Sequence, residues 1–85
     1  MLLLEINAQL SMTSFEIECP QSFHSCDRID VFAEHKTEYS EFHLIKDGGL
    51  LSVIQRHQNG RWQNKEGKQL TVEELSFISG EIESN

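Results

Sequence analysis

The chain has 85 residues, 38% of them hydrophobic, with five Phe, one Trp and a single Pro, a composition too apolar and too Pro-poor for a disordered tail. A mass of 9.8 kDa supports one core and falls short of two, because folding at this size buries only about 64% of the extended chain's surface. Fourteen acids stand against seven Lys and Arg, a formal charge of −7 that repels phosphate backbones and anionic lipid heads, so neither nucleic acid nor a membrane is expected as partner.

The start, Met1-Leu2-Leu3-Leu4-Glu5, has no basic flank and only a short apolar run, which reads as neither a signal peptide nor a span. A cytoplasmic protein is expected. From Leu2 to Leu10, apolar residues fall at every second position, the pattern of a half-buried strand. A second strand, 13–19, sets Phe15, Ile17 and Cys19 against Ser14, Glu16 and Glu18 and stops at Pro20, which has no N–H to donate to a ladder.

Residues 21–27 lack periodicity and read as a loop. Around it, Cys19, His24 and Cys26, with His35 or His43 as a fourth ligand, make the one metal-like grouping; thiolate and imidazole suit Zn²⁺, but no second tight ligand pair follows. Two cysteines are also too few for the framework of a small secreted protein, so free thiols are expected, with metal binding or thiol redox chemistry as the alternative. A catalytic trio of Cys26, His43 and Asp30 can be nominated, but spacing does not bring it together. No catalytic residue or cofactor is assigned.

The strand 28–34 presents Ile29, Val31 and Ala33 inward, and in the strand 39–46 the inward pair is Phe42 with Leu44. Asp47-Gly48-Gly49 then reverses the chain. After the strand 50–58, Asn59-Gly60 signals a type I′ turn that pairs Arg61 with Gln58, Trp62 with His57 and Asn64 with Gln55. In that register Trp62 shares a face with Leu51 and Val53, at the core edge. Arg56, Arg61, Lys65 and Lys68 make this stretch locally basic, which reads as a solvated hairpin tip rather than a phosphate site.

Beyond the Glu66-Gly67 turn the rhythm changes. Thr71 as N-cap, Glu74 at N3 and the flanking Leu70 and Leu75 combine a capping box with a hydrophobic staple. Leu75, Ile78 and Ile82 continue at helical spacing to about Ser84, with Glu73 and Glu74 facing solvent and Gly80 inviting fraying.

The fold expected is therefore α+β, a single domain with an antiparallel meander of five or six short strands and one C-terminal helix packed on one face. One helix covers one face, so apolar residues on the other mark a contact surface. Leu3, Phe32, Tyr39 and Ile45 fall on that minority face, and Trp62 lies at its margin. The function expected is a non-catalytic protein-interaction module, either a homodimer or a small acidic inhibitor of immunity type that binds a basic partner.

Overall fold

A computed structural model describes residues 12–23 and 26–85; the strand expected over Leu2–Leu10, with Leu3, lies outside the described residues. Five strands form one antiparallel sheet in sequential order, β1 Met12–Glu18, β2 Arg28–His35, β3 Tyr39–Lys46, β4 Gly49–His57 and β5 Trp62–Gly67, followed by one helix, α1 Val72–Glu83. This is the α+β meander with a terminal helix that the periodicity implies. No helix among the described residues is long and apolar enough to cross a membrane.

The helix begins as its residues dictate. Thr71 accepts the Glu74 N–H through its hydroxyl, and the Glu74 carboxylate accepts the Thr71 N–H, so two backbone donors that the helix leaves free are satisfied reciprocally. Glu74 is nevertheless buried rather than solvent-facing. Its second oxygen accepts the Ser22 hydroxyl at 2.5 Å, which ties the loop after β1 to the helix start. The helix also continues through Gly80 without fraying, because Ile78 and Ile82 are anchored in the core.

The backbone of α1 comes closest to β1 and β5, the two outer strands, so the sheet curls around it. Ile17, Ile29, Val31, Ala33, Phe42, Leu44 and Ile54 meet Leu70, Ile78 and Ile82 in a single buried cluster. Phe23 joins this cluster from the loop, its ring lying 5.4 Å from the Lys68 ammonium. Phe23 thus ties the described part of the loop to the core, while Gln21, Ser22 and Asp27 are exposed.

Of the two glycine-bearing hairpin turns, the first forms as expected and the second differs in an informative way. Asp47 and Gly48 both adopt positive φ, between paired Lys46 and Gly49, which is what a two-residue type I′ turn requires. At Asn59-Gly60 only Gly60 does so. The His57 N–H donates to Arg61 O, the Gly60 N–H to His57 O, and the Arg61 N–H to the Asn59 side chain, a three-residue connection with glycine in the left-handed position. Trp62 therefore pairs with Arg56, and Asn64 with Ile54, one step from the register expected.

A second departure comes from bulges at Leu44/Ile45 and Val53/Ile54. The first skips Leu51, so Leu50 pairs with Ile45 while Leu51 packs against the core. Ile54, and not Val53, then lies in the core cluster. An extra residue reverses the alternation of everything that follows it. Where β5 ends, Gly67 has φ near +81°, and a Cβ there would stand 2.7 Å from Leu51 O.

Candidate interaction face

The face of the sheet away from α1 has three zones, each set by register. At one end Asp30 pairs with Ile45, Ile45 with Leu50, and Phe32 with His43. Phe32 is 46% exposed and Leu50 52%, and Ile45 is half-buried between their strands. The flank on β1 and β2 is acidic, since Glu16 pairs directly with Asp30. Like charges placed opposite each other disfavour the pairing, and only Arg28, 3.8 Å from Glu16, offsets them.

The middle zone is polar. Glu41 is 4% exposed on the face away from α1, because its neighbours close over it. Lys65 forms an ion pair with Glu41 Oε2, the Gln55 amide donates to the same oxygen at 3.2 Å, and His43 Nε2 lies 3.4 Å from Oε1. Gln63 continues the chain by donating to Gln55. The Lys65 hydrogen bond holds the Glu41 carboxyl below its ordinary value against the opposing effect of burial, with Gln55 and His43 assisting. The same contact raises the Lys65 ammonium. Lys65 reaches this position because the bulge in β5 leaves it out of the register.

Glu34, Glu41 and His43 bring one ligand atom each within 4.8 Å of one another. Lys36, 3.3 Å from Glu34, and Lys65 on Glu41 neutralise both carboxylates, so the group is a charge-balanced network. At the far end Tyr39 faces His57 with ring centroids 5.9 Å apart.

The structure therefore separates the four residues expected to form a contact surface. Phe32 and Ile45 belong to one exposed apolar patch, Tyr39 lies half-buried at the opposite end, and Trp62 is on the other face altogether. There its ring packs 5.2 Å from Phe42 and its indole N–H donates to Glu83 at 3.3 Å. Trp62 therefore stands at the core edge, as its alternation implies, with Arg56 and not His57 as its strand partner because the β4–β5 connection is longer. Leu50 was not among the residues expected, and its signal is its place across the Asp47-Gly48 turn from Ile45.

Cys19 and Cys26 are joined in a disulfide with their Cα atoms 6.0 Å apart, within the range such a bond spans. This corrects the expectation of free thiols. Bonded to each other, the two sulfurs are not thiolate ligands, and His24 lies outside the described residues. His35 binds Ser40 Oγ at 2.8 Å and His43 faces Glu41, so neither turns to the cysteines. Cys26 packs toward the core, whereas Asp30 and His43 belong to the open face, so the nominated catalytic trio is not assembled. Comparison with protein-family models, with curated proteins and with solved structures finds no match to this chain.

Proposed function

We propose that this protein is a non-catalytic interaction module that binds a protein partner through the open face of its sheet. The observation that carries the reading is the exposure of Phe32 and Leu50 beside Ile45, on the face that α1 leaves bare. Removing such side chains from water contributes about 25 cal/mol per Å² of apolar surface, and an exposed apolar cluster with a polar rim is the usual form of a contact site. The acidic flank where Glu16 faces Asp30 favours a partner with an apolar centre and a basic rim. A second copy of the chain is the poorer match, since face-to-face pairing sets acid against acid. A small inhibitor of a basic target in the cytoplasm is the concrete form proposed.

Affinity capture from the native host with the wild-type chain and with Phe32→Asp, using Phe77→Asp on the outer side of α1 as control, tests the reading. The expected result is a captured basic protein lost with Phe32→Asp and kept with Phe77→Asp. Equal capture by both variants contradicts it, and a dimer in light scattering that Phe32→Asp dissolves replaces it with self-association.

The bond between Cys19 and Cys26 favours a second reading, reversible thiol–disulfide exchange, because a disulfide in a reducing compartment is usually transient. Thiol titration of protein purified under alkylating conditions checks it, with a mixed population expected and a fully oxidised one contradicting it.

A further inference from the structure

The disulfide between Cys19 and Cys26 joins a stretch of chain that other contacts already hold. Glu18 pairs with Arg28 at the end of the β1–β2 ladder, and the Cys19 N–H donates to Asp27 O at 3.2 Å. Further along, the Phe23 N–H donates to Pro20 O at 3.0 Å, the Phe23 ring is buried in the core cluster, and the Ser22 hydroxyl donates to Glu74 at 2.5 Å. The ladder thus closes residues 19–27 with or without the bond. Because loop-closure entropy rises only with the logarithm of length, opening the bond shifts the balance between a seated and a loose loop by only about twofold. The two sulfurs therefore stay neighbours when the bond is open.

Two further features suit exchange. Cys19 and Cys26 pack against the core but are each only half-buried, so an incoming thiolate can reach them. Cys26 Sγ also lies 3.3 Å from Arg28 O, an acceptor that only the reduced, protonated thiol can use. That contact holds the Cys26 thiol in place with its proton and leaves Cys19 the readier nucleophile when the bond re-forms.

We propose that Cys19 and Cys26 are a redox centre that exchanges with a dithiol inside the folded chain, with Cys19 as the attacking thiol on reclosure. This rests on the thiol–disulfide exchange read above and adds to it the class of the partner. A thiolate of the dithiol attacks one sulfur, and the other departs and takes up a proton. The dithiol's second thiolate then attacks its own sulfur in the mixed disulfide, and the remaining cysteine leaves and is protonated. A pair of electrons and a pair of protons pass to the protein, and the dithiol becomes a disulfide. A monothiol is the poorer partner, because its mixed disulfide lies beside the freed cysteine, which attacks it and expels the monothiol before a second one arrives.

The test is reduction of the full chain with dithiothreitol under native conditions, followed by alkylation and mass and by amide and ring-proton shifts. Both cysteines are expected to open, with shift changes confined to residues 17–23 and 26–28 and the Phe23 ring still against Lys68, its neighbour at 5.4 Å in the closed form. Oxidised dithiothreitol is expected to re-form the bond fully without denaturant, and glutathione to leave no lasting mixed disulfide. Cys19, measured in Cys26→Ser, is expected to react with dithiodipyridine severalfold faster than Cys26 measured in Cys19→Ser. A bond that dithiothreitol opens only after the chain is denatured overturns the proposal and the exchange reading together. A bond that opens but releases Phe23 from Lys68, an accumulating glutathione adduct, or equal rates for the two thiols overturns the proposal alone and leaves exchange standing.

Discussion

The two faces of one sheet are built from the same strands and do opposite things. On the side of α1, Val31, Leu44 and Ile54 meet Ile78 and Ile82 in one apolar cluster, and the buried carboxylate of Glu74 sits at the helix start. The other side carries Phe32 and Leu50 in water and a carboxylate, Glu41, buried only because Lys65 and Gln55 enclose it. Val53 shows how thin the distinction is, since it is 1% exposed although it lies on the open face, opposite Glu66. At Glu41 burial comes from long polar side chains lying across the strands, whereas under α1 it comes from apolar packing.

The largest effect should come from the covered face. Ile78→Ala deletes a fully buried side chain where helix and sheet meet, and a loss of about 2–5 kcal/mol is expected in denaturant melts. Gly67→Ala comes next, because it combines a positive φ with a Cβ driven against the Leu51 carbonyl; a loss of about 1–3 kcal/mol is expected, read from the same melts.

Acid distinguishes the two faces further. Glu41 is lowered by Lys65 and Glu74 by the Ser22 hydroxyl and the helix start, so the unfolded chain takes up protons before the folded one does. Their contribution is complete above the unfolded carboxylate value of about 4.3 and is lost as pH falls through the lowered folded values. Urea midpoints measured from neutral pH downward should fall in that acidic window, and Glu41→Gln should flatten the fall. A smaller change, of the opposite sign, is expected at Gly80. A Cβ there meets open space, and Gly80→Ala should raise stability by about 0.5–1 kcal/mol in thermal melts.

How much of this could be read in advance depended on how local each cause is. The capping box of Thr71 and Glu74 needs only four consecutive residues, and it stands as expected. The inward sets on β2 and β3 were equally legible, because no bulge interrupts them before Leu44. After that point the bulge at Leu51 reverses β4, and a period-two reading carried past it puts Val53 where Ile54 belongs. The strand partner of Trp62 was misread for a related reason. Asn59-Gly60 supports either a two-residue or a three-residue connection, and the choice is made by Trp62 packing on Phe42 and Arg56, a contact no short window contains. The patch was half legible, through Phe32 and Ile45, while Leu50 depended on the register across a turn. The contact of Gln58 with Thr37 joins two turns far apart in sequence, and no short window contains it.

The most direct trial of the two-faced account is a pair of denaturant melts, Leu44→Ala beside Phe32→Ala. The account predicts a loss of about 2–5 kcal/mol for Leu44 and about 1 kcal/mol or less for Phe32, whose ring is already half in water. Equal losses at the two positions would mean that something covers Phe32 in solution and that the open face is not open.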